Sequence, residues 1–320
     1  MSTGQSQILV GVDGSDPGRS ALEWAVAEAA RREWSLHLMC SYSLPSFTAA
    51  SLDGGYAALD DSAIRESAQV ALDDALAQVA ERVPATGELA TGDAAGALIE
   101  ASAQAGMAVV GTRGGGGFTD RLLGTVSTAL SAHSHAPVVV VPYRREDSDK
   151  DSGASGDGRT RPIRKIVVGV DGSPSSRSAL ACAIAEARLW GAELTAVAGV
   201  SLMQRSGVMN WLPAAVDYEQ VLADVKAGLQ IVVDELAAGT GVDVRLHALD
   251  GSGAALLAEF SSAVDLVVVG SRGRGGFAGM LLGSTSQAVL HHAHSPVLVV
   301  PTGSYEADGD LTPGDLPWQR

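Results

Sequence analysis

The sequence predicts an α/β fold that is built twice from one repeated unit. Apolar runs of strand length alternate with longer stretches whose apolar residues recur at helical spacing, which is typical of an open parallel sheet with helices on both faces. The pattern of residues 8–15 returns at residues 166–173, an offset of 158. The 320 residues are enough for two domains of ordinary size.

The first unit is predicted to cover residues 1–142, with five strands and four helices in alternation. A strand at 8–13 turns into a helix at 18–32, and Pro17 suits the first helical turn because its missing N–H would bond nothing there. The remaining predicted elements are a strand at 36–42, a helix at 62–82, a weak strand at 85–90, a helix at 94–105, a strand at 107–110, a helix at 124–134 and a strand at 137–142.

The second unit is predicted to cover residues 162–301 and to repeat the same order of elements. Residues 143–161 are rich in Arg, Asp, Ser and Gly with almost nothing apolar, and this composition predicts a flexible linker. Residues 302–320 are acidic and are predicted to form a disordered tail. Two long polar connections, at 43–60 and 201–217, are candidates for mobile flaps.

Charge and composition narrow the classes of partner. The chain carries 22 Lys and Arg against 37 Asp and Glu, a formal charge of −15, which argues against a nucleic-acid backbone as the main partner. The polar N-terminus predicts no signal peptide, and no apolar run approaches the ~18 residues of a membrane span. We therefore expect a cytoplasmic protein with no membrane partner, in which Cys40 and Cys182 are reduced core thiols.

A glycine-rich stretch after the fourth strand of each unit is the strongest candidate for a binding site. Its spacing is the same in both units, Gly111-x2-Gly114-x9-Gly124 and Gly270-x2-Gly273-x9-Gly283, and hydroxyl residues lead from it into a helix. Backbone N–H groups and the helix dipole favour a phosphate there, and glycine lets the backbone approach without a Cβ in the way. The sequence therefore predicts one phosphate site per unit.

The candidate residues of the two stretches include the glycines, the helix-start hydroxyls and nearby arginines. Those of the first unit are Gly111, Thr112, Arg113, Gly114, Gly115, Gly116, Gly117, Arg121, Gly124, Thr125, Val126 and Ser127. Those of the second unit are Gly270, Ser271, Arg272, Gly273, Arg274, Gly275, Gly276, Gly283, Ser284, Thr285 and Ser286.

Hydroxyls at the helix start can cap the helix or donate to phosphate oxygens, and both roles predict the same residue types. Arg121 in the first unit and Arg274 in the second are candidates to neutralise the phosphate from different places. Solvated, exposed arginines are the alternative.

The end of the first strand in each unit carries a second group of candidates. These are Gly11, Asp13, Gly14 and Ser15 in the first unit and Gly169, Asp171, Gly172 and Ser173 in the second. Ligands of open α/β sheets lie beyond the carboxyl ends of the strands, so these residues should meet the glycine stretch. A carboxylate beside a phosphate site is explained if it accepts a hydrogen bond from a ribose hydroxyl or an adenine amine. A helix N-cap with a turn glycine is the alternative.

Paired histidines invite a metal-site interpretation, which we disfavour. His133 and His135 are repeated at His292 and His294, where they lie at the end of the last helix. A histidine in a last helical turn interacts favourably with the helix dipole, and no cluster of Cys or carboxylates accompanies these four. No metal ligands are therefore predicted.

These paired motifs resemble those of tandem universal stress proteins, and the resemblance covers everything except the linker and tail. It implies two Rossmann-like domains of the adenine nucleotide alpha hydrolase-like class, each a five-stranded parallel sheet of order 3-2-1-4-5. It also implies that ATP binds, with or without Mg²⁺, and that the adenine lies near the second strand, which adds Ser41 and Gly199 to the candidates. Gly115 departs from the family pattern, in which a basic residue is common.

The same resemblance implies association through the last strand of each unit. The valine-rich strands near 138–141 and 297–300 would leave bare apolar edges in an isolated unit, so we expect them to pair with each other within the chain. A homodimer of chains is left open, and a protein partner is expected but not identified.

The sequence is compatible with three functions. The first is an ATP-binding regulator in stress or dormancy, with one ATP per repeat and no catalytic residues. The second is an enzyme, either a slow ATPase or an adenylating enzyme of the same superfamily, although the Ser-Gly-Gly-x-Asp loop of adenylating enzymes is absent. The third is a scaffold in which one site has degenerated.

Overall fold

The computed structural model describes residues 6–43, 61–112, 123–143, 162–201, 217–274 and 282–302. The fold is α/β, as the sequence predicts, with mostly parallel strands and intervening helices. By its contacts, the described chain divides into two compact structural units, whose bounds differ from those of the two sequence repeats. The predicted linker, tail and long polar connections lie wholly or largely outside the described residues.

The first unit contains the described residues up to Leu130, together with Tyr143. Its strands run in the order β3-β2-β1-β4, and all of these neighbours are parallel. In chain order its elements are β1 (Gln7–Gly11), α1 (Asp16–Arg32), β2 (Ser35–Tyr42), α2 (Asp61–Val79), β3 (Ala85–Thr91), α3 (Ala94–Ala101), β4 (Met107–Gly111) and the first part of α4 (Thr125–His133).

The second unit contains Ser131–Pro142 and the described residues from position 162 onward. Its strands run in the order β5-β10-β9-β6-β7-β8, parallel except for the β5–β10 pair. Its elements are β5 (Val138–Val141), β6 (Lys165–Gly169), α5 (Pro174–Trp190), β7 (Glu193–Val200), α6 (Tyr218–Ala237), β8 (Val244–Asp250), α7 (Gly253–Phe260), β9 (Leu266–Gly270), α8 (Ser284–His292) and β10 (Val297–Val300).

The helix after the first strand starts in the same way in both units. Ser15 caps α1 by accepting a hydrogen bond from the Gly18 N–H at 3.1 Å, and Ser173 caps α5 by accepting one from the Ser176 N–H at 3.1 Å. A serine cap followed by a proline in the first turn satisfies or removes N–H groups that would otherwise lack partners. The position of Pro17 is therefore as predicted.

The last strands of the two repeats pair with each other within the chain, as predicted. Strands β5 and β10 are antiparallel, with Val139 opposite Leu298 and Val138 opposite Val299. Every residue of both strands is buried. Because each strand covers the apolar edge of the other, neither leaves an open edge for aggregation at this pair. Contacts also place β5 with the second repeat, although in sequence it closes the first.

Several element ends differ from the predictions by a few residues. The first strand ends at Gly11 rather than at residue 13, so Asp13 lies beyond the strand. Helix α3 ends at Ala101 and continues as a short 3-10 turn at Ser102–Gln104, where the Ser102 hydroxyl donates to the Ile99 carbonyl at 2.6 Å. Such local side-chain bonds compete with the helical pattern near a helix end.

The cysteines and the helix lengths bear on the predicted core thiols and on the predicted absence of a membrane span. Cys40 in β2 and Cys182 in α5 are both buried thiols outside any disulfide bond, as predicted for reduced core thiols. No helix within the described ranges is long and apolar enough to cross a lipid bilayer.

Replacing Leu298 by alanine should destabilise the second unit. Leu298 is 0% exposed, and truncating a fully buried leucine costs about 2–5 kcal/mol because it leaves a cavity. Urea unfolding followed by circular dichroism measures the loss as a lower transition midpoint. The matched control is Ile231→Ala on α6, which is 43% exposed and should change the stability by less than ~0.5 kcal/mol. Equal midpoints for the two variants would contradict the described packing of β10.

Candidate functional site

The Asp-Gly-Ser segment forms the same turn at the end of the first strand of each repeat. Asp13 accepts a hydrogen bond from the Ser15 N–H at 3.0 Å, and Asp171 accepts one from the Ser173 N–H at 2.9 Å. The glycine between them has a positive φ in both repeats, +75° at Gly14 and +78° at Gly172, a conformation that strongly favours glycine. The helix-cap interpretation of this segment is therefore correct in geometry, and the aspartate contributes to the turn.

The second oxygen of Asp171 joins this turn to the glycine stretch. Asp171 Oδ2 accepts a hydrogen bond from the backbone N–H of Arg274 at 3.0 Å. A Cβ on Gly273 would lie 2.7 Å from the same oxygen, so the glycine allows the backbone to approach the carboxylate. The two groups of candidates in the second repeat, which are about 100 residues apart in sequence, therefore lie in contact.

The glycine at the end of the fourth strand packs directly on the first turn of the helix after the first strand. A Cβ on Gly111 would lie 2.7 Å from the Pro17 carbonyl oxygen, and one on Gly270 would lie 2.7 Å from the Ser175 carbonyl oxygen. Real Cβ atoms essentially never approach backbone atoms so closely. Glycine is therefore required at both positions for packing, independently of any ligand.

A backbone hydrogen bond closes the glycine stretch in each repeat. The Gly124 N–H donates to the Thr112 carbonyl at 2.7 Å, and the Gly283 N–H donates to the Ser271 carbonyl at 2.8 Å. This bond brings the beginning of each stretch next to the helix that follows it. Most of the chain between lies outside the described residues, including the candidates Arg113, Gly114, Gly115, Gly116, Gly117, Arg121, Gly275 and Gly276.

Two of the predicted phosphate-binding hydroxyls have backbone partners. Ser127 Oγ lies 3.1 Å from the Thr112 carbonyl oxygen and 3.0 Å from that of Gly124, and Ser286 Oγ donates to the Gly270 carbonyl at 2.6 Å. Both serines are buried, so these hydroxyls hold the helix to the end of the fourth strand. Thr125, Ser284 and Thr285 are exposed at the helix start.

The first turn of α8 has features that attract an anion. Its N-cap is Gly283, which supplies no side-chain hydrogen bond to the first turn. The first N–H groups of a helix lack partners within the helix, and together with the helix dipole they attract negative charge. With the carboxylate of Asp171 nearby, the arrangement offers donors for a phosphate and acceptors for a hydroxyl or amine.

The candidates near the second strand differ between the repeats. Ser41 Oγ donates to the Gly92 carbonyl at 2.9 Å, which ties the end of β2 to the end of β3. At the equivalent position, a Cβ on Gly199 would lie 2.8 Å from the Gly253 backbone nitrogen, so the start of α7 occupies that space. Burial raises the pKa of the Cys40 thiol, and the negative charge of Asp13 raises it further.

The structure also identifies a residue that the sequence analysis did not consider. Ser175, in the first turn of α5, accepts a hydrogen bond from the Arg272 N–H at 3.2 Å. An available signal was the proline of the first helical turn, which is Pro17 in the first repeat but Pro174, one position earlier, in the second. The shift gives the second repeat a hydroxyl where the first has a proline ring.

The candidate arginines of the second repeat lie at the surface, and one histidine of each pair lies at a helix end. Arg272 and Arg274 are exposed, and His133 and His292 are the last residues of α4 and α8. Among the residues that the structure describes, no group of three or more His, Cys, Asp or Glu is arranged to hold a metal ion.

Replacing Gly270 by alanine should destabilise the protein, because the new methyl group would overlap the Ser175 backbone. Overpacking of this kind typically costs about 1–3 kcal/mol. Gly253→Ala is the control, since its Cβ would meet Thr285 Cγ2 at an ordinary 3.8 Å and alanine is the better helix former. Thermal unfolding monitored by circular dichroism should show a lower midpoint for the Gly270 variant alone. A Gly270→Ala midpoint equal to that of the unmodified chain would rule out this close packing.

Comparison with known proteins agrees with the repeated architecture. The universal stress protein family model matches residues 6–142 and 162–301. Two universal stress proteins of Mycobacterium tuberculosis are similar along nearly their whole length. Rv1996 is 33% identical over 318 residues, covering 91% of this chain and 94% of that protein. Rv2623 is 34% identical over 312 residues, covering 93% and 98%.

Solved structures show the same fold. The crystal structure of a universal stress protein from Archaeoglobus fulgidus has a TM-score of 0.66 at 21% identity. The match covers 93% of this chain and 99% of that chain. Because the family model matches twice and the mycobacterial relatives span most of the chain, the protein belongs to the universal stress protein family, with one family domain in each repeat.

Proposed function

We propose that each repeat binds one adenine nucleotide, ATP in the first instance, and that nucleotide occupancy regulates the protein's interaction with a partner in stress or dormancy. The observation that carries this proposal is the contact between Asp171 and the Arg274 N–H, in a stretch that leads into a helix whose N-cap supplies no side-chain hydrogen bond. A carboxylate that accepts from a sugar or base then lies beside donors that suit a phosphate.

The phosphates would bind at the start of the last helix of each repeat. Ser284 and Thr285 are exposed there, as is Thr125 in the first repeat. Hydrogen bonds to charged groups contribute roughly 1.5–3 kcal/mol each, so three or four would support micromolar affinity, which corresponds to about 8 kcal/mol. Mg²⁺ would be held mainly by the phosphates and water, as is usual for this ion in nucleotide sites.

The ribose and adenine would lie toward the ends of the first and second strands. Asp13 and Asp171 would accept hydrogen bonds from them, and Gly199 and Ser41 would border the adenine. Neither Cys40 nor Cys182 forms a disulfide bond, which fits a reducing compartment, and we propose the cytoplasm as the site of action.

Native mass spectrometry of the full chain with ATP tests the stoichiometry. We expect two nucleotides per chain, and Asp171→Ala should weaken one of the two sites by about 10- to 100-fold, because a hydrogen bond to a charged group is lost. Asp234→Ala is the matched control, since this exposed aspartate of α6 only accepts a hydrogen bond from Gln230 at 2.6 Å.

Chromatography of the nucleotide after timed incubation with the full chain distinguishes binding from slow hydrolysis. Failure of the unmodified chain to bind any adenine nucleotide would refute the proposal.

Removing the proposed neutralising arginines should weaken binding one site at a time. Arg274→Ala is expected to lower affinity in the second repeat and Arg121→Ala in the first, each by about 10-fold or more, because a charge-assisted contact to phosphate is lost. Isothermal titration with ATP, compared with AMP, measures the effect, which should be smaller for AMP. Unchanged ATP affinity in both variants would mean that these arginines are solvated and take no part.

A further inference from the structure

The two proposed nucleotide sites differ in how the protein holds the glycine stretch. In the second repeat, Ser175 is 3% exposed and its hydroxyl accepts a hydrogen bond from the Arg272 N–H at 3.2 Å. Gly270, at the end of β9, packs on the same serine. The beginning of the stretch is therefore fastened to the first turn of α5.

A second hydrogen bond fastens the stretch two residues further along. Asp171 Oδ2 accepts from the Arg274 N–H at 3.0 Å, and the Gly283 N–H closes the far end on the Ser271 carbonyl at 2.8 Å. Alternate N–H groups, those of Arg272 and Arg274, are thus bound to side chains of the β6–α5 turn. A stretch that is ordered before the ligand arrives loses less conformational entropy on binding, which raises affinity.

The first repeat makes the same close approach without the serine bond. Gly111 packs on Pro17 as Gly270 packs on Ser175, with a Cβ of either glycine lying 2.7 Å from the carbonyl oxygen beneath it. Proline has no polar atom in its side chain, so residue 17 supplies no side-chain acceptor for the chain above it. At this position of the first helical turn, the two repeats therefore differ by one hydrogen-bonding group.

We propose that Ser175 is a positioning residue that makes the second repeat the higher-affinity nucleotide site, so that the two repeats fill at different ATP concentrations. This inference rests on the proposed function. The serine acts through the Arg272 backbone and not by touching the nucleotide. A protein with two unequal sites would respond to nucleotide over a wider range than one with two equal sites.

The hydrogen bond between Ser175 and the Arg272 N–H, which we call the clamp, is tested without ligand by hydrogen exchange of the full chain. In Ser175→Ala, the amides of residues 270–274 should exchange about 3- to 10-fold faster than in the unmodified chain, the range expected for one neutral hydrogen bond. Ser178→Ala is the matched control, because this buried serine lies on the same helix and donates to the Pro174 carbonyl of that helix at 3.3 Å. Equal exchange in the two variants would overturn the clamp.

The ranking of the sites is tested by ATP titration of chains with one site disabled. With Asp13→Ala, the remaining second site should bind more tightly than the first site that remains in Asp171→Ala. Adding Ser175→Ala should weaken the second site about 3- to 10-fold, and adding Pro17→Ser should tighten the first, whereas Ser178→Ala should change neither. A purely structural serine would not produce the gain from Pro17→Ser.

The outcomes separate the two proposals. Two nucleotides bound with equal affinity, insensitive to Ser175→Ala, would leave the proposed function standing and overturn the ranking. Absence of nucleotide binding in the unmodified chain would overturn the proposed function and the ranking together, while the exchange experiment would still decide whether Ser175 holds the stretch.

Discussion

The site depends on the close packing between the fourth strand of each repeat and the first turn of the helix that follows the first strand. Gly111 and Gly270 lie so near to that turn that a side chain would overlap its backbone. This contact brings two strand ends, separated by about 100 residues of chain, to the same edge of a parallel sheet. The aspartate of one strand end can then bond the backbone that leaves the other.

In that packing, several polar groups near the site form hydrogen bonds within the protein. Ser127 and Ser286 are buried and bond carbonyl groups at the end of the fourth strand or in the turn after it. Asp171 and Ser175 occupy two N–H groups of the second glycine stretch. In the second repeat, donors that suit an anion lie at the start of the last helix, where the glycine N-cap supplies no side-chain hydrogen bond to the first turn.

The repeats share a plan but not every contact. Both use a serine N-cap, a positive-φ glycine and a closing backbone bond across the stretch. They differ where a single side chain changes the contact, at Pro17 against Ser175 and at Ser41 against Gly199. Sequence duplication therefore preserved the backbone geometry while allowing the surroundings of each candidate site to diverge.

The sequence by itself determined the α/β class, the duplication, the approximate elements and the glycine positions, because periodicity, turn chemistry and motif spacing are local properties of the chain. Only the tertiary structure decided which groups the side chains bond. The Ser175–Arg272 and Asp171–Arg274 contacts join residues 97 and 103 positions apart, and nothing in either local segment indicates its partner. The pairing of β5 with β10 was expected from resemblance and from two exposed valine edges, but its antiparallel direction and its register depend on how those edges meet.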